Sequence, residues 1–234
     1  MRIGIIGAGM IGATLAKRIG QLGHHVAIAN SRGPETLRDL ASEAGATAVT
    51  ALEAARSGEI VVITIPERSV ADLPRDLFTG VPADVVVIDT GNYYPSRDGR
   101  ISAIEDGQPE SAWVAEQIGG PVIKAFNKIY FKSVLENGRQ KGTSDRIALP
   151  VAGDPVDVRA KVLRLVDELN FDPVDAGGIE ESWRQQPGTP CYTQDYNAVQ
   201  LKSALAAAVR SRVPEYRKAA DDAAKAFFRT EPDR

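Results

Sequence analysis

The sequence predicts an α/β fold: a doubly wound parallel sheet of the Rossmann type with a small C-terminal loop-plus-helix segment. Three observations carry the prediction. Short β-branched apolar runs alternate with amphipathic segments across residues 1–176. Several runs, such as Ile60–Ile65 and Asp84–Asp89, are apolar without alternation, as strands covered on both faces are. The first run leads directly into a glycine-rich turn that opens a helix.

Each element follows from local pattern. Arg2–Ile6 reads as the first strand. Ile11–Leu22 reads as a helix, with Ile11, Leu15, Ile19 and Leu22 on one side and Gly23 at the C-cap position. Val26–Ala29 is the second strand. Gly33-Pro34 introduces a helix over Glu35–Ala44, because proline suits a first turn. Ile60–Ile65, Asp84–Asp89, Pro121–Ala125 and Arg146–Ala152 read as further strands. Val156–Leu169 is a helix and Phe171–Asp175 a last strand, expected to run parallel to its neighbours. Residues 92–120 interrupt the rhythm, with loop around Tyr93-Tyr94-Pro95 and a helix over Glu110–Ile118. Residues 177–195 are loop-rich, and residues 196–229 are helical in composition with a break near Pro214. This divides the chain into a Rossmann domain, 1–176, and a C-terminal segment, 177–234, of pocket-forming loop and helical tail.

Composition narrows the function. The chain has 234 residues, 43% hydrophobic and 25% charged, enough to bury a core without covalent staples. A single cysteine excludes a disulfide framework and a cysteine-rich zinc site, and two adjacent histidines leave little for metal or triad chemistry. No metal is expected. A net charge of −3 gives no support to nucleic-acid binding. No run approaches the roughly 18 apolar residues of a membrane span, and the N-terminus begins with a strand pattern in place of a signal peptide. A cytoplasmic protein is expected.

Gly7-Ala8-Gly9-Met10-Ile11-Gly12 is G-x-G-x-x-G in the required context, after a strand and into a helix. Gly7 allows the tight turn, Gly9 lets a pyrophosphate approach the backbone, and Gly12 lets the helix pack on the first strand. Met10 and Ile11 belong to the same helix start, whose free N–H groups favour phosphate. The second strand ends Ala29-Asn30-Ser31-Arg32, with no carboxylate before Glu35. An NAD site usually carries an acid here for the ribose 2′-OH. Asn30, Ser31 and Arg32 suit a 2′-phosphate instead, so NADP(H) is the expected cofactor.

In an open parallel sheet, ligands lie beyond the carboxyl ends of the strands. Ile65 and Pro66 end the third long run and are expected to pack near the nicotinamide. Asn127 is expected to bond the carboxamide or a substrate oxygen, with Lys128 beside it as a possible proton donor; these two are the catalytic candidates. Tyr93, Trp183 and Arg184 are the substrate-binding candidates, aromatic rings for stacking and a cation for an anionic acceptor. His24 and His25 precede the second strand, on the edge opposite the cofactor. Cys191 has no histidine to activate it and reads as a plain thiol.

These motifs carry a family resemblance. GAGMIGATLAKRIGQLGHHV, the NSR after the second strand, VIKAFN at 122–127, PVAGD at 150–154 and FDPVDAGGIEES at 171–182 resemble the NADP-dependent oxidoreductases related to the coenzyme F420 (deazaflavin)-dependent NADP reductases. The reductase domains of six-transmembrane metalloreductases are more distant relatives. The resemblance covers roughly residues 1–184. It implies a Rossmann domain holding NADPH, a C-terminal segment closing a pocket beside the nicotinamide, and a homodimer. The turn here reads GAGMIG where the deazaflavin reductases usually read GGTG-like, so the acceptor does not carry over with the fold. The expectation is an oxidoreductase that moves a hydride between NADPH and a deazaflavin, a flavin or a small organic acceptor. The alternative is a non-catalytic NADP(H)-sensing module that acts through a protein partner.

Overall fold

The computed structural model describes residues 1–230. In chain order the elements begin β1 (Arg2–Ile6), α1 (Met10–Gln21), β2 (His25–Ala29), α2 (Arg38–Ala44), β3 (Thr47–Ala48), α3 (Ala51–Arg56), β4 (Ile60–Ile63), α4 (Glu67–Val70) and β5 (Val86–Asp89). They continue α5 (Pro95–Asp98), α6 (Ser102–Glu105), α7 (Glu110–Ile118), β6 (Ile123–Lys124), α8 (Phe131–Glu136), β7 (Ala148–Gly153), α9 (Val156–Glu168) and β8 (Asp172–Asp175). A 3-10 segment over Ile179–Gln185 follows, then α10 (Ala198–Ala207) and α11 (Val213–Thr230).

The strands form one sheet in the order β3-β2-β1-β4-β5-β6-β7-β8. Alternation along each strand divides the core into two layers. Ile3, Ile5, Val62 and Ile88 pack against Leu15 and Ile19 of α1 and Val162, Leu165 and Val166 of α9. On the other face Ile63 and Val87 meet Trp113 and Val114 of α7, while Val61 meets Ala54 and Ala55 of α3. With both faces covered, strand residues such as those of β4 are all buried, which is why these runs are apolar throughout.

Two departures from the sequence expectation matter. The first is β3 and α3, which lie where no element was expected. α3 starts with a capping box, the Thr50 side chain taking the Glu53 N–H and the Glu53 carboxylate taking the Thr50 N–H. The second is strand direction. β7 pairs with β6 antiparallel, Ile123 opposite Gly153 and Lys124 opposite Ala152, and β8 is parallel to β7. The last strand therefore runs against β1–β6 and not along them. The chain between β6 and β7 holds only the six-residue α8, which packs against α1. A parallel return needs a crossover to the opposite edge; here the chain enters β7 from the carboxyl side. Register then places residues 148–151 beyond the level of Asp89, whose partner is Lys124. Buried Arg146 fixes this entry through ion pairs to Asp167 (2.9 Å) and Asp172 (2.7 Å).

The tail folds back on its own domain. Leu201, Ala204 and Leu205 of α10 cover Ala148, Val174 and Cys191. Arg217 of α11 pairs with Glu105 (2.8 Å) and bonds the Ile104 carbonyl, and Asp221 accepts from the Ser96 N–H and hydroxyl. The helix break falls at residues 208–212, and Pro214 is the second residue of α11, where its missing N–H costs nothing. Val199 and Val209 remain exposed. No helix among the described residues is long and apolar enough to cross a membrane.

Candidate cofactor and hydride-transfer site

The glycine turn has the geometry that its pattern requires. Gly7 has φ +114°, and a Cβ there would lie 2.1 Å from the Thr64 carbonyl oxygen. A Cβ on Gly12 would lie 2.0 Å from the Gly7 oxygen, so α1 seats on β1 only with glycine at this place. Gly9 is the N-cap of α1, with no side-chain cap and no acid in the first turn. The first N–H groups of the helix, at Met10 and Ile11, are thus left for another acceptor. The residues present fit a pyrophosphate there.

At the end of β2, Asn30 holds the turn. Its Oδ1 accepts from the Arg32 N–H (3.0 Å) and its Nδ2 donates to Thr36 Oγ1 (2.9 Å). Ser31 and Arg32 are exposed, and among the described residues the Arg32 guanidinium has no partner. A cation held by backbone geometry with its head group unused suits a phosphate dianion.

The carboxyl ends of β4, β5 and β6 converge as expected. Ile65 and Pro66 are half-buried directly after β4. Asn127 lies in an amide network: its Nδ2 donates to Asn92 Oδ1 (3.1 Å) and the Gln185 carbonyl (2.7 Å), while its Oδ1 accepts from Gln185 Nε2 (3.0 Å). Gln185 belongs to the 3-10 segment after β8, so that segment covers the end of β6. Phe126, between β6 and Asn127, has φ +61°, an uncommon conformation for a non-glycine residue that aims the chain into this network. Lys128 is buried and donates to the Gln194 carbonyl (2.7 Å); burial pushes its pKa down to about 8.

Beneath these ends lies a buried charge cluster that sequence reasoning missed. Lys124 Nζ donates to Asp89 Oδ2 (3.1 Å) and the Gly91 carbonyl (2.6 Å) and stands 3.8 Å from Glu110 Oε2. Ser111 donates to the same Asp89 oxygen (2.6 Å). Burial alone would lower the Lys124 pKa, but Asp89 and Glu110 outweigh it and raise it. Burial raises Glu110 to about 7 against the pull of Lys124 and Arg217. Glu67 is fully buried, and neither carboxyl oxygen has a partner among the described residues. Burial, with Asp89 adding to it, holds the Glu67 pKa well above the carboxylate range, so Glu67 is a neutral acid. A signal was present in the sequence: Lys124 interrupts the apolar run VIKAF, and a cation within a buried strand demands acids nearby.

The other candidates are distributed unevenly. Tyr93 is fully buried in the α7-side core, its hydroxyl accepting from the Ile101 N–H (3.1 Å) with Gly99 O (2.9 Å) and Glu105 (3.0 Å) sharing its one proton, so the fold does not bring it to the strand-end edge. Its neighbour Tyr94 is at that edge, with its hydroxyl 2.5 Å from that of Tyr192. Trp183 is 5% exposed, with the guanidinium groups of Arg184 (4.5 Å) and Arg210 (5.3 Å) over its ring. Arg184 pairs with Glu181 (2.6 Å) and donates to the carbonyls of Leu205 and Ala208, tying the 3-10 segment to α10. Cys191 is buried, and burial raises its thiol pKa. His24 bonds Glu168 and the N-terminus at the amino edge, away from the glycine turn. Among the described residues no group of three or more His, Cys, Asp or Glu is placed to hold a metal ion.

Known proteins share parts of this design. Residues 2–93 match the family described as NADP oxidoreductase, coenzyme F420-dependent. The protein YjhV of Escherichia coli (strain K12) is 40% identical over 85 residues, which are 35% of this chain and 62% of that protein. The chain thus spans less than two thirds of that relative's length. Among solved structures, the hypothetical protein SMa0349 from Sinorhizobium meliloti superposes with a TM-score of 0.72 at 28% identity, covering 84% of this chain and 96% of the other. A candidate F420-dependent NADP-reductase from Arthrobacter sp. FB24 superposes with a TM-score of 0.62 at 22% identity, over 76% and 86% of the two chains. An imine reductase from Pseudomonas sp. gives 0.52 at 19%, over 76% of this chain and 55% of its own. The last two show a shared fold.

Proposed function

We propose that this chain, related through residues 2–93 to the coenzyme F420-dependent NADP oxidoreductases, is an NADP(H)-dependent reductase. It would move a hydride between NADPH and a deazaflavin, a flavin or a small organic acceptor. One observation carries the reading: the uncapped N-terminus of α1 behind the Gly7–Gly12 turn, with the unpaired Arg32 guanidinium at the end of β2 and no acid beside it. The nicotinamide supplies the hydride. The chain's part is to bind phosphate, orient the ring and exclude water. Ile65 and Pro66 are assigned to one side of the nicotinamide, Asn127 and Lys128 to the polar rim, and residues 183–192, with Trp183 and Arg184, to the wall of the pocket.

Fluorescence titration with NADPH and NADH tests the cofactor, and absorbance with NADPH plus an oxidised deazaflavin, then flavins, tests the acceptor. Equal affinity for NADH and NADPH overturns the NADP assignment. A second reading, a sensing module without turnover, is favoured by the Asn92–Asn127–Gln185 network, which already occupies the polar groups at the end of β6. NADPH binding without reduction of any acceptor would select it. Dimerisation is part of the proposal, resting on the exposed Val199 and Val209, and light scattering decides it.

A further inference from the structure

We propose that the paired hydroxyls of Tyr94 and Tyr192 deliver the proton that accompanies hydride transfer, so that the acceptor is a compound with a polar C=N or C=O bond. The inference rests on the reductase reading above and deepens it.

Position comes first. Tyr94 lies two residues beyond Asn92, on the chain delivered by β5. Tyr192 lies on the loop after the 3-10 segment. That loop is tethered to the end of β6 by the Thr193 N–H to the Lys128 carbonyl (2.8 Å) and by Lys128 Nζ to the Gln194 carbonyl (2.7 Å). Both phenols therefore hang at the carboxyl ends of the strands, the edge where a Rossmann sheet presents its ligands. Both rings are half-buried, reachable from that edge yet largely out of water.

Proton counting follows. Two phenols bring two protons, and their 2.5 Å contact uses one. The other has no acceptor among the described residues. A ligand oxygen or nitrogen would complete the set. The charged groups facing the pair are Arg97 of α5, Glu110 of α7 and Asp221 of α11 on Tyr94, and Glu110 and Arg97 on Tyr192. Burial keeps both phenols above their ordinary pKa, hence protonated at neutral pH. Arg97 stands 5.4 Å from the Tyr94 ring centroid and is itself paired with Asp98 (2.8 Å).

The step balances. The hydride leaves the dihydronicotinamide with two electrons and bonds to the acceptor carbon. The π pair of C=N or C=O moves to the heteroatom, which takes the phenol proton. The resulting phenolate keeps the hydrogen bond of the second phenol, and a solvent proton restores it. The products are NADP+ and an amine or an alcohol.

The test uses the full chain, NADPH, and two probes, a methylpyrroline (cyclic imine) and cyclohexanone. Wild-type protein that fails to bind NADPH overturns the functional reading itself. Wild-type protein that binds NADPH but reduces neither probe overturns only the proton-donor assignment. Reduction of one probe tells imine from carbonyl. In the reducing case, Tyr94→Phe and Tyr192→Phe should each lower kcat by about 100-fold, the scale of general-acid catalysis, with NADPH affinity unchanged. Wild-type kcat should be flat between about pH 6 and 9, while the variants, dependent on solvent protons, lose about tenfold per pH unit. A packing role alone would leave that profile unmoved. Normal turnover by both variants overturns the proposal. Should either variant fold poorly, the wild type still decides: a kcat identical in light and heavy water overturns it, and a slower one in heavy water supports it.

Discussion

Replacing Glu110 by glutamine should flatten the dependence of stability on pH. Glu110 is 1% exposed, and burial lifts its pKa from 4.5 to about 7. Each pKa unit is worth about 1.4 kcal/mol between folded and unfolded states, so this shift corresponds to roughly 3 kcal/mol. The sign follows from the proton. A carboxyl whose folded pKa is raised holds its proton more tightly when folded than when unfolded. Its contribution is complete below about pH 4.5, declines as pH rises toward 7, and is gone above about pH 8. Lys124 at 3.8 Å limits the loss and cannot cancel it, because Lys124 is already committed to Asp89 and the Gly91 carbonyl. Glu110→Gln has no proton to lose. Urea titrations from pH 5 to 9 should show wild-type stability falling by roughly 3 kcal/mol more than that of the variant. Glu67, whose pKa is also raised by burial, adds a fall of the same sign that both proteins share. Parallel curves for the two proteins would refute the reasoning, because they would mean that Glu110 is solvated or fully neutralised.

Other predictions concern the cofactor turn and the tail. Arg32→Ala should weaken NADPH binding by roughly 1.5–3 kcal/mol, the worth of a charged hydrogen bond, and leave NADH binding unchanged; titration of both cofactors checks it. Gly12→Ala places a methyl 2.0 Å from the Gly7 oxygen, so α1 must shift; loss of NADPH and NADH binding together, with a lower Tm, is expected by fluorescence and calorimetry. Trp183→Ala removes a buried ring and the surface on which Arg184 and Arg210 stack. It should cost about 3–5 kcal/mol in denaturant titrations, and a loss below about 1 kcal/mol would show that the ring contributes little to packing.

Much of the fold was legible because its signals are local. β1 and the first turn of α1 follow from an apolar run ending in glycines whose spacing the turn demands, and α7 from the pattern of residues 110–118. α3 is equally local, announced by Thr50 and Glu53, but its apolar face is built of alanines such as Ala54 and Ala55, which leave little hydrophobic periodicity to read. The direction of β7 was not legible. It depends on which edge the chain from 125 to 147 follows, and Arg146, Asp167 and Asp172 settle that through contacts distant in sequence. Of the site, the phosphate turn could be read because glycine spacing encodes it. The Tyr94–Tyr192 pair spans 98 residues, and the acids around Lys124 look like solvated surface in the sequence until helix packing encloses them.

The two rims of the sheet have a consequence for how copies of this protein can meet. β3, at one rim, has two residues. At the other rim β8 carries Pro173, which has no N–H to offer, and the β8 N–H groups that face β7 alternate with those facing out. Its outward backbone donor is then that of Asp175, whose carboxylate is held by Arg159 and by the Gly177 N–H. Both rims are blunted as templates for a strand from another molecule, which disfavours continuation of the sheet from copy to copy. Contacts between copies then fall to the helix faces, where shape and side-chain chemistry decide which surfaces meet.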